Sequence, residues 1–285
     1  MDDGLACERL PNVEAFLDRA ESFLIAREAQ HCLTLGICSD LKAHPETVGR
    51  PPYLAVGAVA GDVALTVVWT PPWQVVLSAC DDLAVVPLVV ADLAGQPLVG
   101  VSGPPDVAAE FVAVWTERTG QPARLFLREY AYELTAVTRP GGVPGALRHA
   151  RPSDRDHLIA WLVAFEEEAF GEHQPRDPAV MVDRSLGGEG RRFYIWDDDG
   201  PVSMCGVGGP TPHGIRIGPV YTPLGLRGRG YASACVAAVS QAQLDAGRRS
   251  CYLFADQANR TSNHIYEAIG YRRVSDVGIY RFDQG

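Results

Sequence analysis

Val220-Tyr221-Thr222-Pro223-Leu224-Gly225-Leu226-Arg227-Gly228-Arg229-Gly230-Tyr231-Ala232-Ser233 reads as the end of a strand, a glycine-rich turn and the start of a helix. Such a junction aims several backbone N–H groups at one point, and the helix dipole adds positive potential there. A phosphate or pyrophosphate suits that point. Gly228 and Gly230 let the backbone approach closely, Arg227 and Arg229 bring charge that can neutralise phosphates, and Ala232 is small enough for the helix to lie against a ligand. A dinucleotide fingerprint needs a third glycine after the first strand of a βαβ unit, whereas Tyr231, Ala232 and Ser233 follow here, late in the chain. A P-loop needs Gly-Lys-Ser/Thr, which does not occur. Taken alone, the stretch also fits a plain glycine-rich connection with surface arginines.

The flanking residues extend the pattern on both sides. Upstream, Ser153 or Asp154 can cap a helix running to about Phe170, and strands follow at Phe193–Trp196, Val202–Val207 and Ile215–Thr222. Downstream, a helix from Tyr231 ends near Ala246 at Gly247, and Cys251–Ala255 reads as a strand. A helix Thr261–Ile269 closed by Gly270 comes next, then strands at Tyr271–Val274 and Gly278–Phe282. The first half has a similar order. A helix Val13–Ala29 precedes a hairpin, Tyr53–Val59 and Val63–Trp69, turning at Ala60-Gly61-Asp62. Val75–Ser78 and Gly100–Ser102 read as short strands, Leu83–Leu93 as an apolar helix interrupted by Pro87, Asp106–Thr119 as an amphipathic helix and Arg124–Val137 as a long strand. Arg139-Pro140-Gly141-Gly142-Val143-Pro144-Gly145 is the clearest break, which predicts domains at 1–140 and 145–285.

Two motifs now stand in order. Arg227, Gly230 and Ala232 resemble the fixed places of the R/Q-x-x-G-x-G/A loop of the GNAT acetyltransferase superfamily. Asn259-Arg260-Thr261-Ser262-Asn263-His264-Ile265-Tyr266-Glu267-Ala268-Ile269-Gly270-Tyr271 resembles the N-x-x-S-x-x-x-Y-x-x-x-G-F/Y segment that closes the same fold. The resemblance covers about residues 148–282, and the first half looks like a degenerate partner without the loop. It implies an α/β (α+β) chain of two GNAT-like domains, each a mixed, mostly antiparallel sheet flanked by helices.

The resemblance further implies acetyl-CoA or coenzyme A as cofactor and a small-molecule or peptide amine as acceptor. Backbone groups of Val220, Tyr221 and Thr222 would hold the pantetheine arm as an added strand, donation starting at Val220 because Pro219 has no N–H. Arg227, Gly228, Arg229, Gly230, Tyr231 and Ala232 would hold the pyrophosphate, Asn259 would bind near the pantetheine or the adenine side, and Ser262 would join the cofactor-binding residues. Tyr266 would face the thioester sulfur, where a phenol of ordinary pKa about 10 can protonate departing thiolate. Helical spacing alone would also fit Tyr266 as packing beside Ile265 and Ile269.

Amine attack needs a base, and many relatives carry a carboxylate on the strand before the loop. Ile215-Arg216-Ile217-Gly218 supplies none. Glu166 and Glu167 are the candidates, followed by Glu168, Glu172 and His173, all near the end of the first helix of this half. A solvated acidic helix face is the competing reading, and a non-catalytic acyl-CoA sensor is the competing function.

Composition bounds the rest. The formal net charge is −10, with nine basic and 18 acidic residues in 1–142 against 16 and 17 in 143–285. That balance argues against nucleic acid as partner, and the acidic first half mildly favours a cationic acceptor. Seven scattered cysteines without a CxxC pair match neither a disulfide framework nor a zinc site. No apolar run reaches the ~18–20 residues of a membrane span and no secretory signal opens the chain, so a cytoplasmic protein is expected.

Overall fold

The hairpin signal around Gly61 is realised directly: Ala60 and Gly61 both take positive φ (50° and 92°) between β2 (Tyr53–Val59) and β3 (Asp62–Trp69). Positive φ at both central residues is what a tight hairpin turn requires. This hairpin belongs to the first of two compact units of the computed structural model, which describes residues 4–44, 50–171, 175 and 177–283.

In the first unit β1 (Leu5–Arg9), β2, β3 and β4 (Val75–Leu77) run antiparallel in sequence order, and β5 (Gly100–Gly103) joins β4 in parallel. The second unit repeats this order. β7 (Ala146–His149), β8 (Arg192–Asp197), β9 (Pro201–Pro210) and β10 (Gly214–Tyr221) are antiparallel neighbours, and β11 (Ser250–Asp256) joins β10 in parallel. Each unit is therefore a mixed, mostly antiparallel sheet with one parallel pair. The helices are α1 (Val13–Ile25), α2 (Cys32–Ala43), α3 (Val86–Leu93) and α4 (Pro105–Thr119) in the first unit. α5 (Arg155–Phe170), α6 (Pro178–Leu186), α7 (Tyr231–Asp245) and α8 (Arg260–Ile269) belong to the second.

Several expectations shift. Pro87 does not break its helix but opens it: Leu83–Val85 forms a 3₁₀ turn and Pro87 sits in the first turn of α3, where a missing N–H costs nothing. α1 stops at Ile25, short of Ala29. Strands β1 and β7 and helices α2 and α6 carry weak sequence signals; α2 contains Gly36 and β-branched Thr34 and Ile37. The two closing strands are one, β12 (Arg272–Phe282).

The division between units also departs from the predicted one. The first unit takes the described residues up to Ala131 and those from Val274 onward, and the second takes Tyr132–Arg273. Residues 139–145 are not a free linker, because they lie on the second unit. Thr138 N donates to Ile269 O (2.7 Å), Trp196 Nε1 donates to Pro144 O (2.8 Å), and a Cβ at Gly230 would meet Val143 at 2.9 Å. The chain changes unit within β6 (Ala123–Leu134) and within β12 instead. Through β12, Gly278–Arg281 pairs antiparallel with Gly100–Gly103, and Phe282 enters the core of the first unit against Trp115 (5.4 Å between centroids).

In the second unit the apolar face of α5, Leu158, Trp161 and Leu162, packs with Phe193, Ile195, Met204 and Tyr221. Among the described residues no helix is long and apolar enough to cross a membrane. Because Phe282 is 3% exposed and fixes the last strand, Phe282→Ala should cost about 3–5 kcal/mol of stability, read as a lower urea midpoint. An unchanged midpoint would show that the last strand contributes nothing to that core.

Candidate functional site

The site begins where two strands part. β10 pairs with β11 only at Gly214–Arg216, while it follows β9 as far as Tyr221 opposite Met204. The β10–β9 register slips between Ile217 and Val220, so Gly218 and Pro219 form a bulge. Gly206 faces that bulge, and a Cβ there would meet Gly218 O at 2.7 Å and Pro219 Cδ at 3.0 Å. Beyond Arg216 the edge of β10 that faces β11 is open, and Val220, Tyr221 and Thr222 lie along this stretch. Tyr221 O already accepts from Ser203 Oγ (3.1 Å), and Thr222 O from Arg227 Nε (2.8 Å). What these residues offer an added strand is therefore chiefly their N–H groups.

The loop after β10 closes as a 3₁₀ turn, Leu224–Leu226, and Gly228 and Gly230 take φ of +78° and +82°. Gly230 is the N-cap of α7 and brings no side chain to cap it. The N–H groups of Tyr231, Ala232 and Ser233 accordingly take no acceptor among the described residues, and they lie at the positive end of a 15-residue helix. Tyr231 serves through its backbone alone, since its ring is buried and its hydroxyl donates to Asp198 (2.5 Å).

Arg227 has partners within the protein. Its guanidinium is held by both carboxylate oxygens of Glu168 (2.9 and 2.7 Å) and lies over the Tyr221 ring (5.5 Å). It fixes the loop to α5 and to Tyr221 of β10. Glu168, one of the candidate bases, is thereby engaged. The pair is about two-fifths exposed on each side, so its worth is geometric rather than energetic.

The second motif folds around its asparagines. Asn259 caps α8 by accepting from Ser262 N (3.0 Å), which leaves its amide nitrogen to a ligand. Asn263, which the sequence reading passed over, is 5% exposed; its Nδ2 donates to Asp256 O (2.9 Å) and its Oδ1 accepts from Tyr132 (3.0 Å). It binds the end of β11 to the first turn of α8. One turn on, Tyr266 stands edge-on between Tyr132 (6.2 Å) and Tyr271 (6.0 Å). Both neighbours have anchored hydroxyls, Tyr271 through Ser240 (2.8 Å). That of Tyr266 has no partner among the described residues, and burial pushes its phenol well above the ordinary range.

Of the two leading base candidates, Glu166 is buried on the Leu158–Leu162 face of α5 that packs on β10, and Glu167 is exposed. Glu172 and His173 lie outside the described residues. Three thiols near the site are buried; burial raises Cys205 strongly and Cys251 to about 12, so neither is a thiolate nucleophile at neutral pH.

Comparisons with known proteins agree with this architecture. Residues 209–278 match the family model described as FR47-like protein. No curated protein matches the chain. A Drosophila protein of known structure superposes with a TM-score of 0.69 at 12% identity, covering 99% of both chains. A GCN5-related N-acetyltransferase from Sphaerobacter thermophilus gives 0.58 at 17% identity, over 99% of this chain and 96% of that one. A tandem GNAT protein from the clavulanic acid biosynthesis pathway gives 0.54 at 11% identity, over 98% of each. The chain has the fold of the GNAT superfamily, and its second unit carries the FR47-like region.

Proposed function

We propose that the protein is an acetyl-CoA-dependent N-acetyltransferase, with its site in the second unit. The observation that carries this reading is the open edge of β10 running into the uncapped N-terminus of α7. An extended amide-bearing arm ending in a pyrophosphate matches that pair of features: strand-like hydrogen bonds from Val220 to Thr222, then the free amides at Tyr231–Ser233. The residues present fit coenzyme A in donor type and order. The bound thioester supplies the activated acetyl group; everything else is done by the chain.

In this reading Glu166 accepts the proton of the attacking amine, directly or through water, because it is the buried carboxylate on the α5 face covering β10. The neutral amine attacks the thioester carbonyl, and the thiolate leaves with the proton of Tyr266. The free hydroxyl of Tyr266, held between two anchored rings, is suited to that donation. The burial of Cys205 and Cys251, which keeps both as neutral thiols, favours direct attack over a covalent intermediate.

Calorimetric titration should show binding of acetyl-CoA and coenzyme A but not NADH. Gly230→Asp should lower that affinity by at least ~100-fold, because it places a side chain at positive φ against Val143 and an anion at the phosphate site. Affinity retained in this variant would remove the loop from the site. Tyr266→Phe should lower turnover about 10–100-fold while acetyl-CoA affinity stays within about twofold. Unchanged turnover would exclude Tyr266 as the acid. The raised phenol has a direct signature as well. Burial favours its neutral form, so the tyrosinate absorbance lost in Tyr266→Phe should appear only above the ordinary midpoint near ~10. A midpoint at or below that value would contradict the buried setting.

A further inference from the structure

Arg216 lies in the segment Ile215–Gly218 of β10, which carries no carboxylate. Its neighbours across the sheet fix which way it faces. Arg216 lies opposite Gly208 and Tyr221 opposite Met204. Gly208 and Met204 are four positions apart on one strand, an even offset, so both pairs lie on the same face. Met204 and Tyr221 pack against α5, so Arg216 belongs to the face that α5 covers, opposite to that of Cys205 and Val220.

The floor beneath it is bare. A Cβ at Gly209 would lie 2.7 Å from Arg216 Nε, so the guanidinium rests where a side chain would otherwise stand. The Arg191 side chain lies on the same floor. Its Cδ would be 3.1 Å from a Cβ at Gly206, and its Cβ 3.3 Å from one at Gly208. Arg191 donates to Gly218 O at the bulge. Glycines at 206, 208 and 209 thus admit two arginines flat against β9, between the bulge and the start of β10.

Arg216 differs from Arg148 and Arg227 of the same unit. Arg148 is held by Asp154 and Asp197 and Arg227 by Glu168. Arg216 Nε is sealed from solvent without a hydrogen-bond partner, and its guanidinium has no ion pair among the described residues. An enclosed guanidinium N–H without an acceptor is unfavourable, and a bidentate anion removes that penalty better than any neutral group.

We propose that Arg216, aided by Arg191, is an anion-binding subsite on the α5 face of β10, and that the acceptor is an amine which also carries a carboxylate or phosphate. This rests on the acetyltransferase reading for the amine end, while the anion subsite itself does not. It replaces the cationic acceptor that the acidic first half suggested. One end of the acceptor is fixed by the fork of Arg216, which orients the amine at the other end toward the thioester.

The test uses matched acceptors in the presence of acetyl-CoA, with released thiol as readout: L-phenylalanine against phenethylamine, and O-phosphoethanolamine against ethanolamine. At least one anion-bearing member should exceed its partner by ~10-fold or more in kcat/KM. Arg216→Gln should erase that preference through KM, leaving acetyl-CoA affinity unchanged by calorimetry, and Arg216→Lys should restore part of it. The pair that responds distinguishes carboxylate from phosphate. Equal turnover within both pairs, a preference surviving Arg216→Gln, or no turnover of anion-bearing amines while acetyl-CoA binds would overturn the proposal. Should acetyl-CoA itself not bind, the acetyltransferase reading falls, and thermal unfolding still decides the subsite. Inorganic phosphate should raise the Tm of the wild type over chloride at equal ionic strength, and raise it less in Arg216→Gln. An equal rise in both overturns it.

Discussion

The functional half of this chain depends on a parallel strand pair that ends after three residues. β10 and β11 stay together only from Gly214 to Arg216, and the bulge at Gly218-Pro219 then turns β10 with β9 instead. Two consequences follow from one interruption. An edge of backbone is left without a strand partner inside the sheet, and the loop beyond it is delivered to the N-terminus of α7. Gly206 makes the interruption possible, since any side chain there would strike the bulge. The polar groups that a continuous sheet would have consumed are left for a ligand.

Around this opening the protein fixes what must not move. Arg227 ties the loop to α5 through Glu168 and to β10 through Thr222 O. Asn263 ties α8 to the end of β11, and the linker segment through Val143 lies under Gly230. None of these contacts need touch a ligand, yet each sets the position of a group that would. A surface ion pair such as Arg227–Glu168 adds little stability, so its value lies in the register it imposes.

The fold was legible where local chemistry dictates it. Ala60-Gly61, the Gly270 helix end and the glycine loop each act within a few residues, and the structure realises them there. Four of the five strands repeated in each half emerged from hydrophobic patterning, while β1 and β7 did not. What was not legible depends on distant partners. The residues at 139–145 look like a linker by composition, but Trp196 holds the backbone of Pro144 and Ile269 that of Thr138 just before them. The contact of Arg227 with Glu168, far off in sequence, has no local signal. Asn263 lies inside a motif but outside its fixed places, so no local pattern marks it. Arg216 read only as a missing carboxylate, because its meaning lies in the glycines of a neighbouring strand.

The two units show why topology does not settle chemistry. In the first, β4 and β5 form the equivalent parallel pair, with Val75 and Val76 opposite Val101 and Ser102. The backbone that follows β4 is already spoken for. Ser78 N donates to Thr66 O, Ala79 N to His31 Nε2 and Asp81 N to Ala64 O. Asp82 then caps the next turn through Ala84 N. His31 can accept because its Nδ1 is turned to Leu24 O and burial keeps the ring neutral. Asp81 and Asp82 add negative charge where the second unit has Arg227 and Arg229. The same strand order therefore yields a self-satisfied acidic turn in one unit and a set of unclaimed amides in the other. The two units differ in hydrogen-bond saturation and in sign of charge, while the strand order is common to both.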